Sequence, residues 1–236
     1  MPRLQWRPLA LLAALAIVGC SSGDPAETNA DETLEVMAIG DSITAGPYYR
    51  IPLVRIVDEA GCPVDFVGTF NGAGGSISEA DAALDLDHQA VGGATSERVL
   101  GEMSGWMREN QPDIALLALG TNDFYNGVDR DSSIENLEEI IETLREANPS
   151  VTVLLAQIMP AVGVEEGVAA LNAEIGMLAD RVSTSASNIE VVDLAAGVDV
   201  ENDLVDGVHP NDERSAIIAT RWAEALGGEL AGRCEL

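Results

Sequence analysis

Leu34-Glu-Val-Met-Ala-Ile39-Gly40-Asp41-Ser42 is the stretch on which the fold turns: an apolar run that stops at a glycine and then presents a carboxylate and a hydroxyl. A short apolar run bounded by turn residues reads as a buried strand. Similar runs recur at 64–67, 114–119, 151–156 and 189–192. Helical patterns fill the intervals at about 50–60, 96–109, 133–147, 168–182 and 212–226. The third of these shows the logic. Ser132 followed by Glu135 offers a capping box, and Ile134, Leu137, Ile140, Ile141 and Leu144 form one apolar face. Asn148-Pro149 then stops the helix. Strands alternating with helices predict an α/β fold, a three-layer α/β/α sandwich around a five-stranded parallel sheet. Continuous apolar strands imply burial on both faces. With a flavodoxin-like order of 2-1-3-4-5, the first and third strands are neighbours. One domain, 33–236, accounts for the alternation, and the glycine-rich, acidic stretch 71–88 is expected to be a binding loop.

The first nineteen residues stand apart. Arg3 and Arg7 form a basic region, 9–18 a short apolar one, and Ile17-Val18-Gly19-Cys20 a small-residue cleavage point. That ending resembles a bacterial lipobox, which implies a lipoprotein signal peptide at 1–19 and an acylated Cys20. The chain would then be exported, membrane-anchored through Cys20 at the cell envelope. The alternative is an ordinary cleaved signal, an incidental Cys20 and a secreted protein. Residues 20–32 read as a flexible tether of about 18 Å root-mean-square span.

Charge narrows the partners. Twelve basic residues, all arginine, face forty acidic ones, for a formal net charge of −28, or −30 once Arg3 and Arg7 are removed. Nucleic acid is disfavoured as a partner, since phosphate binding needs clustered cations. No Cys/His/Asp cluster has metal-ligand spacing, so no metal and no cofactor is expected.

Four short blocks carry chemistry. Gly40-Asp41-Ser42 follows the first strand, Gly92-Gly93 lies in the connection after the second, Gly120-Thr121-Asn122-Asp123 follows the third, and Asp206-Gly207-Val208-His209-Pro210 follows the fifth. Ligands of an open parallel sheet bind beyond the carboxyl ends of its strands, so all four blocks fall on the binding edge. Ser42, expected in an exposed loop, is the candidate nucleophile, and a free hydroxyl needs a base. His209 suits that role, with Asp206 accepting its Nδ1 proton. The N–H groups of Ser42 and Gly93 and the Asn122 amide would donate to an oxyanion. Taken singly, each block also has a plain structural reading: a turn cap, a bend, an ordinary Asn-Asp turn, a helix start at Pro210. Of the two histidines, His88 lies in the acidic loop and reads as structural or substrate-adjacent. Thr44 stands where a G-x-S-x-G elbow would have its last glycine, which argues against an α/β-hydrolase.

These blocks, in this order, resemble the SGNH (GDSL-type) hydrolases, named for their Ser, Gly, Asn and His. Tyr49-Arg50-Ile-Pro-Leu-Val-Arg and Ala60-Gly61-Cys-Pro-Val-Asp-Phe-Val-Gly68 are similar to the acetylxylan esterase branch, carbohydrate esterase family three. The likeness runs over about 36–225 and departs at 87–94, where Gln89 and Ala94 stand in place of Glu and Trp. It implies a serine esterase acting on acetyl or other short acyl esters of a small molecule or glycan. A lipid-directed or aryl esterase, or a lysophospholipase, is the alternative within enzymes. Outside them, the alternative is a non-catalytic glycan-binding lipoprotein.

Cys62 and Cys234 remain after Cys20. Each helix of a doubly wound sheet runs antiparallel to the strands, so its end lies at the edge opposite the site. Cys62 follows the first helix and Cys234 the last. In a 2-1-3-4-5 order both helices pack on one face, so the two thiols should meet and bridge. Two unpaired, partly buried thiols are the alternative.

An excess of about thirty carboxylates repels itself at low salt and is screened at high salt. The melting temperature is therefore expected to rise from low salt to molar NaCl by more than in an isosmotic neutral osmolyte. A flat or falling NaCl curve would leave genome composition as the better account of the acidity.

Overall fold

A computed structural model describes residues 33–74 and 77–236. The leader, Cys20 and most of the tether lie outside the described residues. Among the described residues thirteen helices and strands follow one another, with one 3-10 turn at Asp81–Ala83 between β2 and β3. β1 (Leu34–Gly40) leads into a short α1 (Ser42–Ala45) and then α2 (Arg50–Glu59). β2 (Val64–Phe66) is followed by β3 (Gln89–Ala90) and α3 (Ser96–Trp106). Next come β4 (Ile114–Ala118), α4 (Thr121–Tyr125) and α5 (Arg130–Ala147). β5 (Thr152–Gln157), α6 (Glu165–Val182), β6 (Ile189–Asp193) and α7 (Asp212–Glu229) complete the order.

The main strands run β2-β1-β4-β5-β6, all parallel, which is the flavodoxin-like 2-1-3-4-5 order. The sheet has one strand more than expected. β3 pairs with the end of β1 through Ile39 and Gly40. Two residues with no apolar run leave no strand signature, so this strand was hidden in the stretch read as connection. It matters to the site, because it puts the Gly92-Gly93 turn directly beyond β3, next to the end of β1.

α2 packs on α7, while α3, α5 and α6 pack in series, giving the two helical layers. β1, β4 and β5 hold the centre, where Val36 to Ile39, Ala115 to Leu117 and Val153 to Leu155 are essentially inaccessible. Burial on both faces is why these strands read as unbroken apolar runs rather than alternating ones.

α5 begins earlier than the capping box at Ser132 suggests. Asp129 caps it instead, accepting from the Ser132 N–H at 2.9 Å and the Ser132 hydroxyl at 3.1 Å. A charged acceptor makes the stronger cap and captures Ser132 itself as a partner. At the edge away from the strands' carboxyl ends, Cys62 and Cys234 form a disulfide, with Cα atoms 5.1 Å apart. It ties the turn after α2 to the segment after α7, 172 positions on, and leaves β1, α1 and α2 outside the loop it closes.

Candidate active site

Ser42 is not in an open loop. It is the first residue of α1, half-buried, immediately after Asp41 turns the chain out of β1. The Asp41 carboxylate sits inside the protein. Its Oδ1 accepts from the Ile43 N–H at 2.9 Å and its Oδ2 from the Asn122 side-chain amide at 3.0 Å. One buried group thus fixes both the nucleophile's helix and the Asn122 amide, and leaves the second Asn122 N–H free to donate elsewhere. Asn122 itself rides on α4, which begins after Gly120. That glycine has φ +130, and a Cβ there would come within 2.4 Å of the Leu171 side chain, so only glycine lets β4 hand over to α4 at this point.

The candidate base comes from far along the chain. His209 Nε2 lies 2.8 Å from Ser42 Oγ, and its Nδ1 lies 2.8 Å from Asp206 Oδ2. The other Asp206 oxygen accepts from the backbone N–H groups of His209 at 2.8 Å and Val208 at 3.0 Å. The backbone N–H of His209, then its ring, hold the Asp206 carboxyl down at about 2 despite partial exposure. Asp206 is therefore a carboxylate at neutral pH. It accepts the Nδ1 proton and leaves Nε2 as the acceptor for the Ser42 hydroxyl. Tyr48 stacks nearly parallel on the imidazole, 5.3 Å between centroids at 16°, and so limits its rotation.

Gly92 and Gly93 turn beside the nucleophile. A Cβ on Gly92 would lie 4.0 Å from Ser42 Cβ, and Gly93 holds φ +71, a left-handed conformation in which its N–H can turn off the β3 direction. The turn is held in place by a buried network. Asp123, next to Asn122, accepts from the Ser96 N–H at 2.7 Å and the Ser96 hydroxyl at 2.6 Å, and Asn136 donates to that hydroxyl at 2.9 Å. α3, α4 and α5 are thereby locked together directly behind the glycine turn.

Two arginines fasten the loops that carry the site. Arg50, buried on α2, donates to the carbonyls of Thr44 at 2.5 Å, Ala45 at 3.2 Å, Gly72 at 2.7 Å and Leu86 at 2.7 Å. It pins both ends of the 71–88 loop to the nucleophile's helix. Burial brings its guanidinium down to about 10, still fully charged at neutral pH. Arg214 on α7 bonds Asp203 and the carbonyls of Ala196 and Gly197 beneath the His209 loop. Arg50 appeared in the sequence only as part of the Tyr49-Arg50 motif and Arg214 not at all, and neither role was visible there, because a backbone carbonyl has no sequence signature.

His88 is structural. It is buried, its Nδ1 accepts from the Ala90 N–H at 3.0 Å, and its ring stacks on Phe70 at 5.7 Å. Burial, then Arg50, drives it down to about 3, so it stays neutral. Gln89 is spent on Thr69, whose N–H and hydroxyl it bonds at 2.8 Å, and Ala94 is fully buried. Both departures from the carbohydrate esterase pattern thus face the interior rather than the site.

A shallow pocket of about 250 Å³ opens over the reacting atoms, lined by Ser42, Ala45, Gly46, Pro47, Tyr48, Gly74, Gly92 and His209. A larger groove of about 380 Å³ runs along β6 past Glu190, Asp193 and Arg221. It holds no nucleophile–base pair, so chemistry rather than size assigns the site. Among the described residues no group of three or more His, Cys, Asp or Glu side chains could hold a metal.

Asp41 sets a measurable conflict. Burial pushes its carboxyl from 3.8 up to about 6, against the pull of the Ile43 N–H, His209 and Asn122. The folded state then holds this proton more tightly than the unfolded one. Its contribution is fully present below pH 4 and is lost as pH rises to about 6, by roughly 3 kcal/mol. Asp206 acts in the opposite sense, its stabilisation being lost only as pH falls towards 2. Asp41→Asn should flatten the loss seen in urea unfolding between pH 4.5 and 8. It should also lower kcat by about a hundredfold, the scale of one oxyanion donor, because Asn122 loses its acceptor. An unaltered slope together with an unaltered kcat would make Asp41 a bystander.

The fold and the geometry have close relatives among known proteins. A carbohydrate esterase family 3 structure from Talaromyces cellulolyticus is 29% identical, with a TM-score of 0.78 over 84% of this chain and 98% of that one. A family 3 carbohydrate esterase from Clostridium thermocellum is 25% identical, with a TM-score of 0.73 over 84% of this chain and 98% of that one. A multidomain esterase of Ruminococcus flavefaciens is 29% identical across 87% of this chain, which spans only 30% of that protein's length. The sequence pattern of the GDSL-like Lipase/Acylhydrolase family matches residues 38–217, and with Ser42 and His209 brought together at the sheet edge where such chemistry is done, the chain belongs to that family.

Proposed function

We propose that the protein is a serine esterase that removes acetyl or another short acyl group from a neutral carbohydrate ester. The observation that carries this is the unbroken relay Asp206–His209–Ser42, with both links at 2.8 Å. In this reading Ser42 Oγ attacks the ester carbonyl carbon as its proton passes to His209 Nε2. The oxyanion receives the N–H groups of Ser42 and Gly93 and the free N–H of Asn122. His209 returns the proton to the departing alcohol, and water then cleaves the acyl-Ser42 ester by the same relay. The small pocket beside Ala45 and Pro47 suits a short acyl group. The likeness to two family 3 carbohydrate esterases supports the sugar side, as does an acidic chain that repels polyanions.

Hydrolysis of p-nitrophenyl acetate, p-nitrophenyl octanoate and an acetylated xylo-oligosaccharide tests the reading. Acetate esters should be preferred to octanoate, and Ser42→Ala should lose at least about a thousandfold in kcat while keeping its circular dichroism. Turnover surviving in Ser42→Ala would place the nucleophile elsewhere, and a preference for octanoate would favour a lipid substrate.

The proposal includes the setting read from the leader: an exported protein held to a membrane through acylated Cys20. Expression in a bacterial host fed a labelled fatty acid should label the wild type and not Cys20→Ala. Equal labelling of both would remove the anchor.

A further inference from the structure

Three of the six large hydrophobic side chains that stand exposed among the described residues lie on the loops bordering the site: Tyr125, Val162 and Val205. They form one wall. Tyr125 ends the helix that carries Asn122, and its hydroxyl donates to the Val162 carbonyl at 2.6 Å. Val162 donates its N–H to the Gly207 carbonyl at 2.8 Å, and its side chain would lie 3.0 Å from a Cβ on Gly207. Val205 donates to the His209 carbonyl at 2.8 Å. The wall therefore runs from the Asn122 helix to the His209 loop, and it adjoins the small pocket at Pro47 and Tyr48 through His209, which lines that pocket.

Tyr125 is the informative member. The chain is only 4% aromatic, yet this ring is 44% exposed and its hydroxyl is fixed. Tethered at its hydroxyl, the ring offers its exposed part as a fixed apolar surface beside the site. Carboxylates surround it. Burial first, and then the charges of Glu165 and Asp206, raise the Tyr125 phenol above its ordinary value. Glu165 accepts from the Gly163 N–H on Oε2 at 2.9 Å and also from its own backbone N–H, and its two oxygens keep lone pairs for a further donor. Asp206 is already committed to His209 and Val208. A stacking face beside a carboxylate acceptor, with no cation in the wall, suits a neutral ligand with a C–H face and hydroxyl donors at its rim. A fatty chain would leave the acceptor idle, and an anion would be repelled.

We infer that this wall is the subsite for the sugar on the alcohol side of the ester, with Tyr125 as the stacking platform and Glu165 as a hydroxyl acceptor. The inference rests on the carbohydrate-ester reading above and names the residues that select the sugar. Its test is a ratio, kcat/KM on an acetylated xylo-oligosaccharide over kcat/KM on vinyl acetate, which has no ring to stack. Taking the ratio cancels general damage to the reacting groups. Tyr125→Ala should lower it about tenfold, the scale of one well-made contact, mainly through KM. Glu165→Gln should lower it by less, and Tyr125→Phe should restore most of the loss. Tyr125→Leu, which keeps the bulk, replaces the alanine variant should that variant unfold. A ratio that does not move in Tyr125→Ala, or one on phenyl acetate that falls equally, overturns the sugar subsite while leaving the carbohydrate esterase reading intact. Wild-type hydrolysis of vinyl acetate with none on the glycan ester overturns both.

Discussion

The hydrogen bond between Ser42 and His209 joins residues 167 apart in sequence, and the architecture exists to hold it at 2.8 Å. Neither loop could set that distance by itself. It is fixed by the parallel register of β1 with β4, of β4 with β5 and of β5 with β6, each strand passing its end position to the next. A slip of one residue in any pair would move the later loops by about 3.3 Å and break the contact. Close packing of Val36–Ile39 against Ala115–Leu117 and Val153–Leu155 is what prevents the slip, since a shift would turn every side chain to the other face.

Within that frame the site is arranged at a cost to stability. Asp41 would be more comfortable solvated or neutral, yet it lies inside the protein between the Ile43 N–H and the Asn122 amide. There it caps the helix that begins at Ser42 and sets where the remaining Asn122 N–H points. The disulfide and the core carry stability at the opposite edge and in the centre, where they do not constrain the site. Burying one carboxylate to aim one amide is the kind of local conflict that marks a working site rather than a structural one.

What could be read from the sequence follows from what leaves a local pattern. Strands buried on both faces give apolar runs, and helices with one dry face give Ile134–Leu137–Ile141 spacing, so the layers were legible. Ser42, Asn122, Asp206 and His209 each sit one to four positions past a predicted strand or in a turn signal, so their shared edge was legible as well. Groups defined by a distant partner were not. Asp41 looks like a turn residue until Asn122, 81 positions away, is seen on its Oδ2. β3 is two residues long and borrows its register from β1. Arg50 and Arg214 act on carbonyls, which every residue possesses. Tyr48 reads as an ordinary loop aromatic, and only the fold lays it on His209.

The arginines also bear on the charge. With no lysine and a large acidic excess, cations might be expected to serve mainly as partners for carboxylates, and at the surface some do, as in Arg55–Asp81 and Arg181–Glu138. The less exposed ones bind backbone carbonyls, and two of them, Arg145 and Arg214, pair with a carboxylate as well. Arg50 takes four carbonyls, Arg145 takes those of Val182 and Ser187, Arg214 those of Ala196 and Gly197, and Arg221 those of Asp193 and Ala196. A planar guanidinium has five donors in a fixed fork and can bridge carbonyls from separate loops, whereas a lysine has three donors around one point. At Arg50 and Arg214 the bridged loops are those that bring Ser42 and His209 together. Arginine at these positions thus has a structural reason independent of genome composition, while among the described residues the acidic side chains far outnumber the arginines. The protein's loops are held by its scarce positive charges, and its surface is left to be screened by salt.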